Sequence, residues 1–305
     1  MDDNTLGIIC ALLAALVWAF AMIFFKRSGE KIHPLALNLF KNTIAIVLLV
    51  ATLGIMGEGF GAISSFSKND FWILALSGVI GITIADTLFF YSLNLCGVGI
   101  VSIVDCLYSP FIIFFAFLFL GEVLTPWQLV GAGLVLAAVF ITSRHAPPEG
   151  RTRKQLVAGI LIGVANMALM GIGVVMARPI VEYYPMIWAV LIRMAAGTVV
   201  LALFIAALPN RRELFSVFVP RRAWKFSVTG AVLGAYLSSV LWIGGFKYAD
   251  DTSVAAILNQ MASLFALVLA AVFLKEAFTG RKFFALMIAL GGIVLVILCD
   301  GSPLE

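Results

Sequence analysis

Four charged side chains stand inside long apolar runs of this sequence: Lys41, Asp86, Asp105 and Arg193. Asp105 is the plainest case, set five residues before Pro110 in "VSIVDCLYSPFIIFFAFLFLGE", residues 101–122. A charge at the centre of a lipid-facing helix costs about 3 kcal/mol on insertion scales. Each of the four is therefore expected to face protein or a watery cavity. A carboxylate there can hold an amine or a proton, and a guanidinium or ammonium can hold a carboxylate or phosphate. Solute binding and ion coupling are the chemistry these residues suit. Catalysis and metal binding find little support: His33 and His145 both fall between apolar runs, and no HExxH pattern occurs. The four cysteines (Cys10, Cys96, Cys106 and Cys299) have no metal-ligand spacing. The chain also lacks a phosphate-binding GxxxxGK[ST] loop. No metal, no cofactor and no nucleic acid is expected.

The elements that position these charges follow from composition. The 305 residues are 63% hydrophobic and 12% charged, with a mean hydropathy of +1.11; an ordinary soluble domain carries roughly twice that charge. Ten apolar stretches are long enough, or nearly so, to span a bilayer: Leu6–Phe25, Leu35–Leu53, Phe71–Leu93, Gly99–Leu120, Pro126–Ser143, Leu156–Met176, Pro185–Leu208, Ala223–Phe246, Ser253–Leu274 and Arg281–Cys299. The runs are continuous rather than alternating, which predicts helices and not barrel strands. The acidic start "MDDNT" predicts an uncleaved first span. The expected fold class is all-α integral membrane, multi-pass, in the bacterial cytoplasmic (inner) membrane.

The stretch "RHAPPEGRTRKQ", residues 144–155, divides the chain into halves, 1–143 and 156–305. A shift of 154 lays residues 109–125 on 263–279 with seven of seventeen positions identical, among them Glu122/Glu276 and Thr125/Thr279. A shift of 152 pairs Lys41 with Arg193. Five spans per half is an odd number, so the prediction is ten transmembrane helices as two inverted five-helix repeats, with a site near midplane. Gly159/Gly163 and Gly230/Gly234 are predicted to allow close helix contacts. Lys and Arg number 15 in the loops after odd spans together with the first three residues of the spans that follow them, and 3 on the other side, which places the termini outside.

The quoted repeat, together with "LVWAFAMIFFK", the pair Lys41 and Arg193, "LGEVLTPWQLVGAGLVLAAV" and "LKEAFTGRKFFALMIALGGIVLV", resembles the EamA type of the drug/metabolite transporter superfamily. The resemblance covers nearly the whole chain. It implies a transporter of small organic solutes, often an exporter, and cytoplasmic termini, against the charge count. Lys41 stands where relatives commonly have Arg, and Leu264 where they often keep a proline.

Depth along the spans predicts that Lys41, Asp86 and Asp105 share one level and can form an ion-pair cluster, while Arg193 lies toward the opposite surface. The repeat counterpart of Asp105 is Asn259 and that of Asp86 is Ser239. Ser102, Asp105 and Ser109 fall on one helical face, as do Asn259 and Ser263, with Gln260 beside them. Tyr236, Trp18 and Trp242 are candidates for the cavity wall. Glu122 and Glu276 are read as structural elbows, each suited to the positive end of the helix that follows it. Lys26, Arg178 and Lys247 are expected to snorkel at span ends, and Trp72, Trp127, Trp188 and Trp224 to form interfacial belts. The expected function is export of a small organic metabolite such as an amino acid or related zwitterion, with a proton as the other candidate ligand of the aspartates. An organic-phosphate or anion exchanger, a membrane-embedded enzyme and a non-transporting receptor are the alternatives.

Overall fold

The computed structural model describes residues 2–57, 59–121, 125–143, 150–181, 183–220, 224–248 and 252–298, and all regular structure among them is helical. The architecture is carried by α1 (Asp3–Gly29), α2 (Pro34–Ile55), α3 (Lys68–Cys96), α4 (Val98–Leu120), α5 (Pro126–Ser143), α6 (Arg153–Val181), α7 (Met186–Ala207), α8 (Trp224–Gly245), α9 (Thr252–Phe273) and α10 (Gly280–Leu298). Among the described residues, nine helices are long and apolar enough to cross a membrane, and α5 contributes a shorter apolar run, Pro126–Thr142. Both α3 and α6 extend to 29 residues, beyond the runs expected from hydrophobicity. At the helical rise this is about 44 Å, so their polar ends emerge past the hydrocarbon layer. Ser67, for example, caps α3 by accepting the Asp70 N–H at 3.1 Å.

Each half carries one π turn in the corresponding helix, Val79–Ala85 in α3 and Ala231–Leu237 in α8. Such a turn frees backbone carbonyls that need donors. Asn38 of α2 supplies one, donating from Nδ2 to Ile82 O at 2.8 Å. In α4 the helix tightens to a 3₁₀ turn over Asp105–Leu107. Pro110 has no N–H to return to Cys106, and the distortion falls where that bond is missing.

Small residues set the helix contacts. α1 packs on α8 and α9, α6 packs on α3 and α4, and α5 lies along α10. A methyl group on Gly131 would stand 2.4 Å from the Gly292 carbonyl oxygen, and one on Gly78 would stand 2.1 Å from that of Arg193. Gly159 and Gly163 meet Cys96 and Ser92 of α3, while Gly230 and Gly234 meet Phe25 and Ala21 of α1. Outward faces bear exposed Val47, Leu203 and Val272, as a lipid-facing surface requires. Trp72 and Trp127 are exposed in keeping with an interfacial belt, but Trp188 is buried. It packs in the cluster that holds Phe66 and Ala177, so burial against neighbouring helices overrides its position at a span end.

The two ends of the bundle differ. At one, Asn94 donates to Gly29 O at 3.1 Å, Arg27 to Phe273 O at 2.7 Å and Arg151 to Asn94 O at 3.3 Å. These bonds gather the ends of α1, α3 and α9 with the residues that lead into α6. At the other, Tyr184 before α7 donates to Asp70 of α3 at 3.0 Å and accepts the Ser67 N–H.

The turn that ends α9 places Lys275 at φ 55, a left-handed conformation that costs a non-glycine residue about 1 kcal/mol or more. Gly121, its counterpart at the end of α4, has φ 72. Lys275→Gly is therefore expected to stabilise the protein by about 1 kcal/mol, read as a raised thermal midpoint in detergent.

Candidate functional site

A cavity of about 600 Å³ lies between the halves, within the size range of small-molecule sites. Its polar lining comes largely from α4 and α9. Asp105, Tyr108 and Ser109 line one side, and Asn259, Gln260 and Ser263 the other. Trp18 of α1 and Trp242 of α8 supply aromatic surface, and Met167 and Met170 of α6 complete an apolar floor. Gln260 Nε2 donates to Ser109 Oγ at 3.1 Å, joining the two polar helices. Beside them Cys106 Sγ lies 3.7 Å from Ser263 Oγ.

Asp105 carries the charge of this site. One of its carboxylate oxygens, Oδ1, is buried with no hydrogen-bond partner among the described residues. Neither Lys nor Arg lies within ion-pair distance of it among those residues. Among the described residues, no Lys, Arg or His lines the cavity. An anionic group so placed is costly unless a cation or proton meets it.

The expected three-residue cluster is divided. Lys41 Nζ donates to Asp86 Oδ2 at 2.7 Å, and neither residue lines the cavity. The helix level shared with Asp105 is not enough, because Asp105 lines the cavity while Lys41 of α2 and Asp86 of α3 meet each other outside it. Arg193 also stands outside the lining. Its backbone abuts Gly78 of α3, its guanidinium lies beside Gly81 of the same helix, and its Nε is buried without a hydrogen-bond partner among the described residues. Arg193 is expected toward the opposite surface from the acidic residues; the structure instead sets its guanidinium at the α3 π turn that directly precedes Asp86. Tyr236 is engaged elsewhere, sharing a 2.6 Å hydrogen bond with Thr52.

Glu276 departs from its expected role as well. Its carboxylate caps α4, accepting the Val98 N–H at 2.8 Å and the Gly99 N–H at 2.9 Å, rather than the helix that follows it. The α9–α10 elbow folds across the bundle, and those N–H groups are the donors it meets. Glu122 lies outside the described residues. Lys26 is no snorkelling residue, since Nζ donates to Leu93 O at 3.0 Å and Asn94 O at 3.1 Å.

Sequence reasoning passed over Tyr108, Met167 and Met170. Tyr108 was within reach, being three residues from Asp105 and so on its helical face. The methionines carry no signal in an apolar background.

An all-helical bundle with membrane-crossing helices and a polar-lined cavity between its halves has the architecture of a multi-pass membrane transporter. The chain belongs to the EamA-like transporter family, whose sequence profile matches residues 5–144 and 157–298. That is a family of membrane transporters of the drug/metabolite type, not of enzymes. Among solved structures, a protein known from its crystal structure is 19% identical in sequence. It aligns over 97% of this chain and 98% of that chain, with a TM-score of 0.69, a likeness of fold. A search of curated proteins finds no match.

Proposed function

We propose that the protein is a secondary transporter that exports a small organic metabolite bearing an amino group, an amino acid or related zwitterion, by alternating access between two inverted repeats. Asp105 holds the substrate ammonium and, when the cavity is empty, a coupling proton. Asn259, Gln260, Ser109 and Ser263 orient the polar end, while Trp18 and Trp242 pack on the apolar body. Arg193, one layer behind Tyr108 and Met170, is the partner for the substrate carboxylate once those side chains move. Lys41 and Asp86 neutralise each other and hold α2 against α3, and Tyr236 braces α8 on α2.

The observation that carries this reading is the unpartnered Asp105 oxygen in a cavity wall without a cation. It also argues against a phosphate or anion exchanger, because a carboxylate repels such substrates and Lys41 is already engaged by Asp86. The reciprocal packing of α1 on α8 and α9, and of α6 on α3 and α4, suits two equivalent halves that rock about a shared site.

Overexpression in cells with metabolite levels measured inside and outside tests this directly. An amino-bearing solute depleted inside and enriched outside is the expected result; accumulation of only an organic phosphate would sink the proposal. Within the cavity, Trp242→Ala is expected to raise KM about tenfold through loss of aromatic surface and cation–π attraction, with a smaller change in maximal rate.

A further inference from the structure

We infer that Glu276 is the latch that holds the translocation path shut at its own end of the bundle, seated in a cradle that two glycines keep open. This rests on the transporter reading but not on the role of Asp105.

The cavity runs from mid-bundle to the Tyr184 end. Its α4 residues begin at Asp105, its α9 residues begin at Ala256 near the start of that helix, and Val296 and Ile297 belong to the last turn of α10. No residue of the α4 turn Val98–Val104 lines it. Glu276 sits at the far end of that uncavitated stretch, on the first residues of α4. Its two oxygens take the Val98 and Gly99 N–H groups, the first donors of α4, which no helical carbonyl can satisfy. A carboxylate on these N–H groups is a charge-assisted contact at the positive end of a helix.

The seat is built for it. Gly97 has φ +79, and a Cβ there would stand 2.6 Å from Glu276 Oε1; one on Gly99 would stand 3.2 Å from Oε2. Leu267 closes the other flank of Gly99, and Lys282 stands beside it while donating to Ala277 O at 3.0 Å. Lys26 meanwhile binds the last carbonyls of α3, so the α3–α4 elbow is gripped by opposite charges on its two ends. The grip crosses the halves, since Glu276 belongs to 156–305 and Val98 to 1–143. Opening this end requires α4 to leave the α9–α10 elbow, and the Glu276 bonds must break. By the shift of 154 that relates Glu122 to Glu276, the residues matching Gly97 and Gly99 are Asp251 and Ser253. Neither glycine of the cradle thus has a glycine counterpart in the repeat.

Cys106 provides the reporter: it is buried, on α4, with its thiol toward Ser263 of α9, where the halves would part. The test uses the full chain with Cys10, Cys96 and Cys299 changed to Ser, in oriented proteoliposomes without substrate. A membrane-impermeant maleimide is added to one side at a time. The latch predicts slow labelling of the parent protein from the Glu276 side. It predicts about tenfold faster labelling in Glu276→Gln, because weakening one charge-assisted contact shifts a two-state equilibrium by that order. Gly99→Ala keeps the carboxylate but crowds its seat, predicts the same direction, and decides the matter if Glu276→Gln does not fold. Unchanged rates in folded variants, or a gain confined to the opposite side, would overturn the latch. Sided labelling as predicted with no transport of any amino-bearing solute would instead overturn the proposed function and leave the latch standing.

Discussion

Asp105→Asn is expected to abolish transport in a protein that folds as well as the parent. The carboxylate makes no ion pair among the described residues, and its Oδ1 has no hydrogen bond, so the fold loses no contact when the charge goes. An amide is also cheaper than a charge in an apolar wall. The substrate ammonium, by contrast, loses its ionic partner in a partly dehydrated site. Removing one member of a buried charged pair costs about 2–5 kcal/mol, or roughly 30- to several-thousand-fold in affinity. Transport by reconstituted Asp105→Asn should fall to background, with an unchanged elution profile and a thermal midpoint equal to or above that of the parent. Asp105→Glu keeps the charge and should retain a measurable fraction of the rate.

The Lys41–Asp86 pair predicts the reverse pattern, a loss of stability. The 2.7 Å contact has side chains only 9% and 15% exposed, and the Lys41 ammonium lies 5.9 Å from the centre of the Phe90 ring. Lys41→Met leaves Asp86 as an uncompensated charge and is expected to cost about 3–5 kcal/mol. Asp86→Leu strands Lys41 and should cost a similar amount. The double substitution replaces a pair by apolar side chains of similar size and should recover most of the loss. Thermal unfolding of the four proteins in one detergent reads this as a double-mutant cycle. Additive losses would mean that the two residues act separately.

The helical, membrane-crossing fold was legible because long apolar runs leave few alternatives. The division into halves was legible because Glu122/Glu276 and Thr125/Thr279 match where apolar identities count for little. Asp105 and its polar neighbours on α4 and α9 could be placed together because residues three and four apart share a helical face. Depth could not say which way each helix is rotated, and rotation decides partners: Lys41 meets Asp86 while Asp105 turns to the cavity. Nor could it anticipate that α7 packs its Arg193 backbone on Gly78 of α3, which sets the guanidinium beside Gly81. The role of Glu276 was hidden for a related reason. Its donors, the Val98 and Gly99 N–H groups, lie almost 180 residues away in sequence, and only the folded α9–α10 elbow brings them together. The π turns left no mark either, because a single added residue does not disturb an unbroken apolar pattern.

The central claim is that a lone carboxylate in the cavity binds the amino group of the transported solute. It is tested most directly by counterflow of radiolabelled amino-bearing solutes into proteoliposomes, with the parent protein and Asp105→Asn compared side by side. The account predicts saturable uptake by the parent and none above empty liposomes by the variant, with both proteins folded. Equal uptake by the two would contradict it.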